Sequence, residues 1–133
     1  MKKILVDMSA TLIHHGHIRL LRKAKELGIV IVALTTDDEI LKKKGYVPEL
    51  PYDSRKEILE AIKYVDKVVP SKWKIEESFL DELGIDLLVH GSDNSNDIKE
   101  GRLIVFERTK GISSSILRGR VLKVIGQIYD GKE

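Results

Sequence analysis

Cysteine is absent from the 133 residues, so disulfides, thiolate metal sites and cysteine nucleophiles are excluded. Aromatic residues are scarce, at 5% with a single tryptophan, and proline occurs only three times. No apolar run approaches the length needed to span a bilayer. The opening MKKILV starts like a signal peptide, but its apolar run is short and meets Asp7 at once, so a first strand is expected there. Charge of one sign is also lacking. The formal net charge is +2, too small to indicate a nucleic-acid binder, although a local basic patch can still hold a phosphorylated ligand. The expectation is a cytoplasmic protein with neither nucleic acid nor membrane as a partner.

What is present is ordinary for a globular chain: 42% apolar and 33% charged residues. The length suits one domain, residues 1–133, with one core. Strand and helix patterns alternate. KILVDM reads as a short buried strand, and HIRLLRKAKELG as a helix with Ile18, Leu21 and Ala24 on one face and Gly28 placed to end it. IVIVALTT is β-branched and continuous, as in a strand covered on both faces. SRKEILEAIKYV predicts a helix with Ile58, Leu59 and Ile62 inward, followed by a strand at DKVVP. KIEESFLDELG predicts a helix closed by Gly84; IDLLVHG and RLIVFE predict strands. A last helix runs from Ser113 to Tyr129, with Ile116, Leu117, Val121, Val124, Ile125 and Ile128 as its apolar stripe. This order implies an α/β fold with a mostly parallel sheet and helices on both faces. Ligands in such sheets sit beyond the carboxyl ends of the strands. The loops at 8–17, 36–54, 90–101 and 107–115 therefore surround one site. KKKGYVPELPYDS is the longest proline-bearing loop, a candidate mobile flap.

Three of the four histidines lie in HHGH, residues 14–17, directly before a helix pattern. A helix N-terminus offers free N–H groups and partial positive charge to a phosphate. Gly16 lets the phosphate approach the backbone. His14 and His17, three apart, can both face that pocket and donate to oxygens that gain charge during phosphoryl or nucleotidyl transfer. His15 is expected to face outward, and His90, ending a strand, to line the site or pack. No protein metal site is expected, because no fourth ligand set is evident.

DMSATL resembles the opening of haloacid-dehalogenase-type phosphatases, with Asp7 as nucleophile. That chemistry needs a second aspartate two residues on. Ser9 stands there, Ala10 replaces the usual glycine, and the histidines would be idle. ERTKGISSSILR, residues 107–118, weighs the other way. It ends a strand, turns through Gly111 and starts a helix with three serines, which cap the helix or bind phosphate. Arg108 adds a forked cation suited to phosphate oxygens. Two such helix starts at one sheet edge match the needs of a triphosphate.

With HHGH as an HxGH motif and RTKGISSS as R-T-x-G-I-S-[ST]-T, the chain resembles cytidylyltransferases of the glycerol-3-phosphate cytidylyltransferase type, within the nucleotidylyltransferase superfamily. YDSRKEIL is similar to the family's Y-x-x-R-x-x-I-L. The likeness covers nearly the whole chain and implies one Rossmann-like, three-layer nucleotidylyltransferase domain. Two motifs depart. Met8-Ser9-Ala10-Thr11 stands for the usual G-x-F-D and is similar to cytidylyltransferases found with phosphonate biosynthesis. Gly91-Ser92-Asp93-Asn94 stands for G-D-D-W.

The resemblance implies that an acceptor oxygen attacks the α-phosphorus of CTP while pyrophosphate leaves, with no covalent intermediate. His14 and His17 would stabilise charge there, and Lys44, or its neighbour Lys42 or Lys43, would reach the α-phosphate. Arg108 and Ser113, Ser114 and Ser115 would hold the β- and γ-phosphates, with Ser9, Ala10, Gly16, Thr109, Gly111 and Ile112 completing the nucleotide site. Arg55 would hold the acceptor or the triphosphate, and Asp93 the base or acceptor. Mg²⁺ would accompany CTP with few protein ligands. The acceptor would be a small phospho- or phosphono-compound. Phosphocholine is disfavoured by the scarcity of aromatics. A homodimer is implied as well. An adenylyltransferase using ATP and a non-catalytic nucleotide-binding module of the same fold stay open at this point.

Overall fold

The computed structural model describes residues 1–91 and 98–130. Its strands are β1 (Lys3–Met8), β2 (Ile29–Thr35), β3 (Lys67–Ser71), β4 (Leu87–Gly91) and β5 (Leu103–Phe106). They form one sheet in the order β3-β2-β1-β4-β5, with every pair parallel. The helices are α1 (His15–Lys25), α2 (Asp37–Lys44), α3 (Tyr52–Glu60), α4 (Glu77–Leu83) and α5 (Ser114–Asp130). The expected α/β fold with helices on both faces is present. The sheet is wholly parallel among the described residues.

Side chains alternate across each strand, and the sheet therefore builds a core on each face. Ile4, Val6, Val30, Val32 and Leu34 pack with Leu21 and Ala24 of α1 and Leu59 of α3. Leu5, Ile31, Ala33 and Leu88 pack on the other face with Ile75, Leu80 and Ile85 around α4. A fully buried aliphatic side chain contributes about 1.5–3 kcal/mol, so these two layers fix the strand order. β1 lies between β2 and β4, where the chain reverses its direction of travel across the sheet. At that reversal a crevice opens beyond the strand ends.

Three local expectations change. The loop expected at 36–54 is partly helical: residues 37–44 form α2, capped by the Thr36 hydroxyl at 3.4 Å from the Glu39 amide and ended by Gly45 in the left-handed region, and the last residues of the KKKGYVPELPYDS segment begin α3. Ile58 is exposed on α3; of the three residues expected inward, Leu59 is fully buried and Ile62 partly so. Gly28 does not end α1, whose cap is Glu26 in a helical conformation. Gly28 is required by close approach instead. A Cβ there would lie 2.2 Å from the Lys2 carbonyl oxygen, and that oxygen already accepts from the Ile29 amide at 2.9 Å. Gly28→Ala is expected to destabilise by about 1–3 kcal/mol, as overpacking against fixed backbone does. Urea unfolding measures it, and an unchanged midpoint with an unchanged slope would contradict this account.

Candidate active site

A cavity of about 370 Å³ opens at the crevice. Asp7 and Met8 line it from the end of β1, and His90 and Gly91 from the end of β4. The N-terminus of α1 brings His14, Gly16 and His17; the approach to α5 brings Arg108, Thr109, Ile112 and Ser113 to Ser115. Ser9 and Ala10 also line it, as do Ile40 and Lys44 from α2 and Tyr46 from the segment beyond. The HHGH and RTKGISSS segments, about a hundred positions apart, thus meet at one opening.

The histidines have a definite protonation geometry. The Gly16 amide donates to His14 Nδ1 at 3.1 Å, and the His14 amide donates to His17 Nδ1 at 3.1 Å. Each ring therefore uses Nδ1 as an acceptor, so the proton of the neutral ring sits on Nε2. The rings lie 4.0 Å apart, centroid to centroid. Two Nε2–H donors stand side by side, and both rings cap α1. Burial, followed by the nearby His15, lowers the pKa of His14. Burial, followed by His14, lowers that of His17 to about 4. Both rings are neutral at pH 7. A Cβ on Gly16 would lie 2.9 Å from His14 Cε1, so only glycine leaves the first ring in place. His15 is exposed, as expected.

A pH dependence follows. Below pH 6.5 the unfolded chain protonates His17, while the folded chain resists until about pH 4. The unfolded state binds more protons in that window, so stability falls as pH falls through it. Between pH 7 and pH 5 the loss from His17 is on the order of 1–2 kcal/mol. Urea unfolding at both pH values should show a smaller acid loss in His17→Asn than in the wild type. Equal losses would remove this assignment.

The three serines divide their work. Ser113 Oγ accepts the Ile116 amide at 3.0 Å and caps α5, while its own proton remains available to a phosphate oxygen. Ser114 Oγ accepts from the Leu12 amide at 3.3 Å and donates to the Leu12 carbonyl at 3.1 Å. Its hydroxyl clasps the turn before α1 to α5, and that is its structural role. Ser115 is exposed at the cavity edge. Gly111 does not line the cavity; its φ of +78° makes the turn that precedes the helix. Ala10 is buried with φ +45°, a conformation that strains an L-residue. It persists because the clasp at Leu12 and a buried arginine fix the turn on either side.

That arginine is Arg55, which the sequence places on the acceptor or triphosphate. It is fully buried. Nε donates to the Leu50 carbonyl at 3.0 Å, Nη1 to the carbonyls of Ser9 and Thr35 at 2.7 and 2.9 Å, and Nη2 to Asp37 Oδ1 at 2.6 Å. A guanidinium so consumed has no path to a ligand. Arg55 instead ties the ends of β1 and β2 to α3. Among the lysines, Lys44 lines the cavity, with Nζ 5.4 Å from the Trp73 ring centroid. Lys42 faces a separate depression beside α4. Asp93 lies outside the described residues.

Some lining residues have no counterpart in the sequence reading. Trp73, Tyr46 and Phe106 line the cavity, so overall scarcity of aromatics does not extend to the site, and the argument against phosphocholine loses its basis. The signal at Trp73 was its being the chain's only tryptophan, set among lysines. Asp7 Oδ1 lies 2.6 Å from His90 Nδ1, and this contact holds the carboxylate against the imidazole. Arg118 and Thr11 also line the site. Among the described residues, no group of three or more histidines or carboxylates is arranged to hold a metal ion. No described helix is long and apolar enough to cross a membrane.

Comparison with known proteins agrees with this geometry. Residues 9–120 match the family described as cytidylyltransferase-like. The chain is 37% identical over 126 residues to glycerol-3-phosphate cytidylyltransferase of Staphylococcus aureus, covering 89% of this chain and 93% of the relative. It is 36% identical over 132 residues to ethanolamine-phosphate cytidylyltransferase of Dictyostelium discoideum, covering 90% of this chain but 36% of that longer protein. The solved lipopolysaccharide core biosynthesis protein of Thermoplasma volcanium shares the fold, with a TM-score of 0.63 at 19% identity over 93% of this chain and 88% of that one. Paired helix starts at a parallel-sheet crevice, both motifs that occupy them, and a family match across most of the length place this chain in the cytidylyltransferase-like family of nucleotidyltransferases.

Proposed function

We propose that the enzyme transfers CMP from CTP to an oxygen of a small phosphorylated alcohol, such as a glycerol phosphate-like acceptor, or of a phosphonate. The product is a CDP- or CMP-activated precursor of a surface polymer, lipid or phosphonate. The acceptor oxygen forms a bond to the α-phosphorus, and the bond from that phosphorus to the bridging oxygen of the β-phosphate breaks, releasing pyrophosphate. The observation that carries this reading is the pair of neutral Nε2–H donors at the α1 start, facing the α5 start across one cavity. Fixed donors of this kind stabilise oxygens that gain charge in the transition state. Lys44 approaches the same space from α2, and Arg108, Thr109 and Ser113 from the other side.

A Mg²⁺ ion bound with the triphosphate would screen its charge, with phosphate and water as its main ligands. Asp7 and Glu107 are the carboxylates on the described cavity wall. A cytoplasmic homodimer completes the reading, supported by the apolar residues exposed along α5, among them Val121, Val124 and Ile128.

The test is pyrophosphate release with each of four nucleoside triphosphates and a panel of glycerol 3-phosphate, phosphoethanolamine, aminoethylphosphonate and phosphocholine. CTP with a small acceptor should give turnover. Turnover with ATP alone would reassign the base, and none with any pair would remove the reading.

A further inference from the structure

We propose that Arg118 and Glu49 form a latch that positions Lys44 over the phosphate site. Arg118 lies in the second turn of α5. Its Nε and Nη2 donate to the two carboxylate oxygens of Glu49 at 2.5 and 2.7 Å. Nη2 also donates to Thr11 Oγ1 at 2.7 Å, and the guanidinium carbon lies 4.6 Å from the centroid of the Tyr46 ring. One side chain therefore joins α5, the turn before α1 and the segment after α2. The first two carry the α5 phosphate site and the clasped turn, and the third continues directly from Lys44 at the end of α2.

The segment after α2 needs such an anchor. Gly45 turns the chain at φ +81°, and a Cβ built there meets nothing within 4 Å, so the pivot has no packed wall. Val47 is 70% exposed. Pro48 is buried, and Arg118 supplies a directional contact to Glu49. A two-pronged guanidinium–carboxylate pair fixes orientation as well as distance. The Glu49 side chain is nearly half exposed, and pairs of that kind add little to global stability. The work of this pair is therefore geometric. Tyr46 sits two residues beyond Lys44, so holding its ring against Arg118 holds the end of α2 and the approach of Lys44 beside Trp73. Arg118 and Glu49 are positioning residues acting through Lys44.

The proposal rests on Lys44 meeting the triphosphate, and its test separates the two. Turnover and KM for CTP are measured in the full chain for the wild type, Glu49→Gln, Arg118→Met, Lys44→Met and Glu49→Gln/Lys44→Met. Breaking the latch should lower kcat about tenfold, as a small misplacement of a charge-stabilising group does, with KM for CTP within about twofold. In the Lys44→Met background the same break should cost nothing further, because the latch has nothing left to position. Unchanged kcat in Glu49→Gln, or an undiminished loss in the Lys44→Met background, overturns the latch. If Arg118→Met fails to fold, Glu49→Gln carries the comparison. Trp73 is the only tryptophan and reports independently of turnover: its quenching by acrylamide should rise in Glu49→Gln. If no nucleotide is turned over by the wild type, the functional reading has failed. Quenching alone then decides the latch, and unchanged quenching removes it.

Discussion

Alanine at His14 or His17 is expected to lower turnover by on the order of 10²–10³ in each case, the usual cost of one oxyanion-type donor. The sequence alone suggests that stability would be spared. The structure says otherwise, because Nδ1 of each ring accepts a backbone amide at the start of α1. Loss of such a cap costs about 0.5–2 kcal/mol. Asparagine separates the two roles. Its side-chain oxygen can replace Nδ1 as an acceptor, but it has no group at the position of Nε2. His14→Asn and His17→Asn should therefore keep most of the stability while remaining as slow as the alanine variants. His15→Ala, on the exposed side, should be mild in both measurements. Paired steady-state assays and urea unfolding decide this, and asparagine variants with near-native turnover would show that Nε2 is not the working atom.

The second large effect is on folding. Arg55→Met should cost about 3–5 kcal/mol, because each buried acceptor left without its donor costs about 1–3 kcal/mol. Three carbonyl oxygens and one oxygen of Asp37 lose a donor together. The other oxygen of Asp37 accepts from the Tyr52 amide at 3.0 Å, so the start of α3 is drawn in as well. Native stability is commonly about 5–15 kcal/mol in total, and this one side chain holds a large share of it. Arg55→Lys should rescue little, since a single ammonium cannot span separated acceptors. Urea unfolding with circular dichroism measures both variants. A well-folded Arg55→Met with a raised KM would return Arg55 to ligand binding.

These two predictions mark where sequence reasoning reached and where it stopped. The strands were legible because burial on both faces demands β-branched runs such as IVIVAL, and the family motifs fell at the helix starts that their chemistry requires. α2 was missed because it has almost no apolar face: Ile40 is its one buried residue. Its signals were electrostatic, with Asp37, Asp38 and Glu39 in the first turn, Lys42 to Lys44 in the last, and Thr36 and Gly45 as caps. Arg55 was misplaced for a different reason. An arginine in a polar stretch is ordinarily exposed, and its burial depends on carbonyls 20 and 46 positions away. The division among the serines was equally hidden, since the Leu12 partner of Ser114 belongs to the other end of the chain.

That last contact has a consequence for assembly. Leu12 and Ser114 are 102 positions apart, and Thr11 and Arg118 are 107 apart. Contacts between such distant parts form only after the intervening loop has been closed, which slows their appearance relative to local structure. During synthesis the HHGH turn leaves the ribosome well before its clasp, because Ser114 of α5 follows Leu12 by 102 positions. The nascent chain therefore carries a half-built nucleotide site from the synthesis of the turn until that of α5. In refolding, helical signal should return before nucleotide affinity, with ligand binding reporting the arrival of the final helix.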